Sequence, residues 1–141
     1  MSTEANKEIV RRYQEAYNTN NLDALDAVVA ADIKTPNMLP GFPPGLEGVK
    51  QLHRLTIDAW PNAHTHIEDL IAEGDTVVAR VTCSATPHKD AFGIPANGKS
   101  FSISGHYLVR IANGKIVEHF GVEDALGIMQ QMGLMPAPDG L

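Results

Sequence analysis

The stretch from Phe101 to Asp124 limits this chain more than any other, because it reads as a long β-hairpin running into a capped helix. Apolar Phe101, Ile103, Tyr107, Val109 and Ile111 alternate with Ser102, Ser104, His106 and Arg110, the period of two expected of a strand with one buried face. Ala112-Asn113-Gly114-Lys115 follows, and Asn-Gly favours a tight hairpin because both central residues of such a turn take positive φ. Ile116-Val117-Glu118-His119-Phe120 therefore returns antiparallel, with the strand ends side by side. Period two puts Phe101, Ile103, Tyr107 and Val109 on one face, with Val117, His119 and Gly121 of the return strand beside them. A tyrosine and a histidine on an otherwise apolar face are candidates for chemistry.

The chain's 141 residues, 43% of them apolar, suit a single domain over 1–141 with a real core. The net charge of −6 is scattered, which argues against nucleic acid or an anionic membrane as partner. A lone cysteine, Cys83, continues the apolar run Val77–Val81 and reads as a buried strand thiol. The first residues, Met1 to Glu8, lack the charged and apolar regions of a signal peptide, and no apolar run approaches membrane-spanning length. A cytoplasmic protein is expected.

Upstream, Ile9, Val10, Tyr13, Ala16 and Tyr17 recur at helical spacing and predict a helix over Glu4–Tyr17. Asn21 is placed to cap a second, shorter helix carrying Leu22, Leu25, Val28 and Val29, after which 31–36 looks extended. The proline- and glycine-rich segment 36–45 is a loop, and its apolar Met38, Leu39 and Phe42 predict that it folds over a pocket mouth. A third helix is expected from Leu46 to Trp60, ended by Pro61. Strands at His64–Ala72 and Thr76–Thr86 join through Glu73-Gly74-Asp75. Asp124 is a good N-cap for a helix over Ala125–Met132, with Gly133 placed to stop it and a non-helical tail from Met135 to Leu141.

The order predicts an α+β fold: a cone-shaped, strongly curved, mostly antiparallel sheet wrapped by three N-terminal helices, with a short C-terminal helix. Such a cone encloses a cavity, the default small-molecule site in a domain of this kind.

Several segments are familiar: Ile9 to Asn18, Gly45 to Lys50, Glu68 to Asp75, Phe92 to Pro95, Arg110 to His119 and Asp124 to Gly133. On these the chain resembles, over nearly its whole length, the SnoaL-like polyketide cyclases of the nuclear-transport-factor-two-like superfamily, which also holds ketosteroid isomerase, scytalone dehydratase and limonene epoxide hydrolase. The resemblance implies the cystatin-like, nuclear-transport-factor-two-like α+β barrel, a homodimer through the open face of the sheet, and a cofactor-free aldol-type ring closure of a polyketide ester. It also implies an aspartate that moves the proton and a histidine near it. At those positions this chain has Gly121 and Tyr107. Glycine transfers no proton, so the family's own mechanism does not carry over unchanged.

In the resemblance the face of Tyr107 and His119 is the cavity face. Tyr107 is then an oxyanion donor, and His119, with an ordinary pKa near 6.5, an acid or base. Asp124 is either a third catalytic group or only the helix cap. Tyr13, Tyr17, Phe42, His53, Trp60, Phe101 and Gly121 are the expected substrate-binding residues. Glu118 is expected to pair with Arg110 across the hairpin. His64 and His66 point the same way, but spacing fixes no third ligand, so no metal and no cofactor are expected. Gly93 to Gly98 matches no phosphate-cradling motif. The expected partner is a hydrophobic, carbonyl-bearing small molecule: substrate of a cyclase, or cargo of a non-catalytic binding or carrier protein using the same cavity. An isomerase, dehydratase or hydrolase is the further alternative. Hydration chemistry needs a deep carboxylate, for which the inward strand positions assigned above leave only Asp58 and Asp69 as candidates.

Overall fold

In a computed structural model, which describes residues 2–136, one five-stranded sheet organises the chain. Its strands are β1 (Val29–Lys34), β2 (His64–Glu73), β3 (Thr76–Ala85), β4 (Phe101–Ala112) and β5 (Lys115–Glu123), in the order β1-β5-β4-β3-β2. All neighbours are antiparallel except β1, which lies parallel to β5. Asn113 and Gly114 take φ of 52° and 76° at the β4–β5 turn, as the Asn-Gly dipeptide requires. Helix α1 (Thr3–Asn18), capped by Ser2 accepting from the Ala5 N–H, and α2 (Gly45–Ala59) cover one face, and α3 (Ala125–Gln131) closes one end. The α+β layout matches the expectation. Of the tail, Met135 and Pro136 are non-helical, and 137–141 lie outside the described residues.

Four local readings need correction. Leu22–Ala27 is a 3-10 helix without a side-chain cap from Asn21; Val28 and Val29, β-branched, leave the helix, and Val29 starts β1 opposite Ile116. The β4–β5 ladder has a bulge where Arg110 faces Glu118 and Ile111 faces Ile116. Ile116, fully buried, thus takes the inward place expected of Val117, which is left as the extra residue. Leu39 is 50% exposed, although Met38 does pack on the core. Lastly, β5 runs beyond the Ile116–Phe120 segment and past Gly121 as far as Glu123, because β4 still offers Tyr107 and Gly105 as partners for Gly121 and Glu123.

The inward face of the sheet carries Val77, Ala79 and Val81 of β3, and Tyr107, Val109 and Ile111 of β4. Against them α1 buries Ile9, Val10, Tyr13 and Ala16, and α2 buries Leu46 and Val49. A second, smaller cluster of Phe101, Ile103, Ile128 and Met132 joins α3 to the end of β4. Cys83, on β3, packs against both. No helix among the described residues is long and apolar enough to cross a membrane.

Candidate functional site

Two hairpin residues and two helices meet in an aromatic column inside the sheet. The Tyr107 and His119 rings stack with centroids 4.9 Å apart and an interplanar angle of 29°. Tyr13 lies 6.1 Å from Tyr107 and 5.7 Å from His119. Tyr17 continues the column, 4.9 Å from Tyr13 and 4.4 Å from His53 of α2. The Tyr107 hydroxyl donates to Gln14 Oε1 at 3.1 Å, both residues being buried. Gln14 escaped the sequence reading, since a polar residue on the margin of an amphipathic helix carries no signal of what it meets. Trp60 instead stands with Phe92 at 5.1 Å and Phe101 at 5.4 Å, over the second cluster. Phe42 is half-buried in the 36–45 loop and takes no part in the ring contacts of the column. His53 Nε2 and Trp60 Nε1 are buried without a hydrogen-bond partner.

Burial sets the charge of this column. It pushes His119 down to about 4, a bond to its own main chain opposing the effect, and it lowers His53 as well. The expectation of a histidine titrating near neutrality is therefore corrected: in a low-dielectric interior the imidazolium loses its hydration and the neutral ring is favoured. Burial likewise raises the Tyr107 phenol, with Cys83 and Tyr17 adding, and raises Tyr13 well above its ordinary value. Tyr17 is pushed up to about 12. At neutral pH the column holds hydrogen-bonding groups and no charge.

Gly121 lies beneath His119: a Cβ there would come 3.2 Å from His119 Cε1 and 3.6 Å from Tyr107 Cβ. Its main chain is clamped by Asn37, whose amide donates to the Gly121 carbonyl and whose Oδ1 accepts from the Gly121 N–H at 3.3 Å. This contact continues the sheet beyond β1 and pins the loop across the end of β5. Nothing in the spacing of the loop foretold it.

The remaining candidates face elsewhere. Asp124 is exposed, and its Oδ1 accepts from the Gly127 N–H at 2.9 Å as the N-cap of α3. Asp58 pairs with Lys89 at 3.0 Å and Asp69 with Arg80 at 2.6 Å, both on the surface, so neither supplies a deep carboxylate. Glu118 meets Arg110 at 3.7 Å, as the hairpin register implies. His64 and His66 are exposed on the outer face, and no group of three histidine, cysteine or acidic residues suited to a metal occurs among the described residues. Cys83 is pushed up to about 11 by burial, with the nearby Glu123 charge adding, so its thiol stays protonated. The residue missed outright is Glu123: its register opposite Gly105 puts it on the face of Tyr107 and His119, which a strand ending at Phe120 hides. Two concavities mark the ends of the molecule: one of about 200 Å³ bounded by Asn6, Gly74, Asp75, Ile111 and Asn113, the other of about 420 Å³ bounded in part by Asn62, Thr86, Ser100, Phe101 and Gln131.

Comparison with known proteins agrees with this fold. Residues 7–132 match the model of the family described as SnoaL-like polyketide cyclase. The chain is 31% identical, over 99% of its own length and 98% of the relative's, to aklanonic acid methyl ester cyclase DnrD of Streptomyces peucetius. It is 30% identical to aklanonic acid methyl ester cyclase DauD of Streptomyces sp. (strain C5), over 94% and 85%. Among solved structures, TsrD from Streptomyces laurentii superposes with a TM-score of 0.87 at 27% identity, covering 96% of this chain and 99% of that one. From Lys7 to Met132, the span that holds the stacked Tyr107–His119 pair, the chain belongs to the SnoaL-like polyketide cyclase family.

Proposed function

We propose that the protein is a cofactor-free cyclase that closes a carbon ring in a hydrophobic, carbonyl-bearing polyketide ester bound on the inward face of the β4–β5 hairpin. The observation that carries this reading is the uncharged Tyr107–His119 stack, its tyrosine buried and its histidine half-buried. An aldol closure needs an enolate, and neutral donors fixed in a dry interior favour an oxyanion at no reorganisation cost during the reaction. Gln14 holds the Tyr107 hydroxyl in place, and Gly121 leaves the surface beside the stack without a side chain. Two relatives bear names that specify a methyl ester substrate, which makes aklanonic acid methyl ester the compound to try first. Ring closure is followed by chromatography and mass spectrometry as a product of unchanged mass. Tyr107→Phe and His119→Gln should each lower kcat/KM by roughly a hundredfold or more, with melting temperatures within a few degrees of the parent. Full activity in both variants removes the pair from the mechanism.

A carrier is the competing reading, and one observation favours it: neither a phenol raised by burial nor an imidazole lowered to about 4 is a base at pH 7. An unaltered apolar compound retained through native mass spectrometry, together with no turnover, would establish that reading.

We also propose a homodimer through the outer face of the sheet. Ile71, Val78, Leu108 and Phe120 stand in register across four strands as one apolar row. Ile71 is 69% exposed and Phe120 44%, with Val122 beside them at 59%. A continuous apolar stripe on an open sheet face is a surface that association would cover.

A further inference from the structure

The cyclase reading leaves the proton-abstracting group unassigned, and the hairpin offers one. We propose that Glu123 is the general base of the ring closure, its carboxylate standing over Gly105 on the same face as Tyr107 and His119. The inference rests on the cyclase reading and adds a catalytic residue to it.

Glu123 pairs with Gly105, which in turn pairs with Val81 of β3. A Cβ on Gly105 would meet Glu123 Cγ at 3.3 Å and Val81 Cγ2 at 3.4 Å. The glutamate side chain therefore leans across the strand into the space that the glycine leaves, towards β3, where its charge is felt by Cys83. Gly121, the neighbour of Glu123 on this face, has no side chain of its own, and the His119 ring lies over it, with Cε1 3.2 Å from where a Cβ would stand. The two glycines thus let Glu123 and the His119 ring lie close to the main chain, with the carboxylate on one side of Gly121 and the neutral aromatic pair on the other. Glu123 and His119 are four residues apart on β5, roughly 13 Å along the strand, a span that an extended polyketide can bridge.

Glu118, Asp69 and Asp124 make the ion pairs and the cap described above, Glu68 accepts from Thr82, and Asp32 and Glu73 are exposed on β1 and β2, away from the β4–β5 hairpin's stack. Glu123 has no such partner in the hydrogen bonds and ion pairs of the described residues. Glu123 is an exposed residue at the rim, and the partial desolvation of its carboxyl by the neighbouring strands raises it above the ordinary value, in the direction of a base that works at neutral pH.

In the reaction, Glu123 takes the proton from the carbon between two carbonyls. The C–H bond breaks, and its electron pair delocalises into an enolate facing Tyr107 and His119. The enolate carbon then bonds to a ketone carbon further along the polyketide chain; the C=O π bond breaks, and its oxygen becomes an alkoxide that recovers the proton from the Glu123 carboxylic acid. Substrate and product are isomers, and no oxidant or further reactant is needed.

The test measures deuterium uptake at the acidic carbon of aklanonic acid methyl ester, together with ring closure and the dissociation constant of the ester, for the parent protein, Glu123→Gln and Glu123→Asp. The expected result is a loss of exchange and closure of at least a hundredfold in Glu123→Gln, partial recovery in Glu123→Asp, and ester affinity within threefold throughout. Exchange and closure within threefold of the parent in Glu123→Gln overturns the assignment and leaves the cyclase reading standing. Loss of affinity in parallel with turnover overturns it too, by making Glu123 a binding group. A parent protein that binds the ester yet neither exchanges nor cyclises it overturns both readings.

Discussion

His119 is a histidine whose surroundings deny it a charge, and that has a consequence for stability. The unfolded chain binds its proton near the ordinary pH 6.5, while the folded one holds the ring neutral down to about 4. Acidification therefore favours the unfolded state from about pH 6.5 downward, and the penalty is complete below about 4, at on the order of 3 kcal/mol. Among the facing groups, Cys83 and Tyr107 stay protonated and neutral across this window. Glu123, raised in the folded state, has the opposite sign: it binds its proton more readily folded than unfolded, so it gains stability as pH falls. The two effects are separated by comparing variants. In denaturant titrations at pH 7 and pH 4.5, His119→Gln should lose roughly 2 kcal/mol less than the parent on acidification. Equal losses in both proteins would contradict a buried neutral imidazole.

At the level of elements, α3 shows how one carboxylate is assigned. Its seven residues are too few for a stable isolated helix, so the cap at Asp124 and the burial of Ile128 and Met132 hold it against β4. Asp124→Ala should cost about 1 kcal/mol, a drop of a few degrees in melting temperature for a domain of this size, while turnover stays within twofold. A hundredfold loss of turnover at an unchanged melting temperature would instead make Asp124 catalytic. The hairpin was legible from Phe101 to Phe120, because alternation and an Asn-Gly turn are local signals. Its continuation to Glu123 was not. Gly121 could be placed on the return strand, but only pairing of Gly121 with Tyr107 and of Glu123 with Gly105 keeps the backbone extended past it.

For the whole molecule, the two faces of the sheet divide the work. The inner face holds the column and the core, and the outer face shows an apolar row framed by charges such as the Arg80–Asp69 and Arg110–Glu118 pairs. If the row is a dimer contact, Phe120→Lys should turn a dimeric parent into a folded monomer in sedimentation experiments at low micromolar concentration. The exposed position of Phe120 in the single chain leaves the core untouched. A parent that sediments as a monomer would dispose of the interface.

The sequence by itself determined the α+β order, the place of the Asn-Gly hairpin turn, the Arg110–Glu118 pairing, the cap at Asp124 and the neighbourhood of Tyr107 and His119. These follow from periodicity, turn chemistry and capping, which act over a few residues. Tertiary structure decided the rest. The neutrality of His119 comes from burial beside Tyr13 of α1 and Tyr107 of β4, the grip of Asn37 on Gly121 spans 84 positions, and the bulge that exchanged Val117 for Ile116 appears only when β4 and β5 are paired. The place of Glu123 depends on a glycine eighteen positions earlier. Charge, clamp and carboxylate are all set by contacts between segments distant in the chain, and such contacts leave no trace in local spacing.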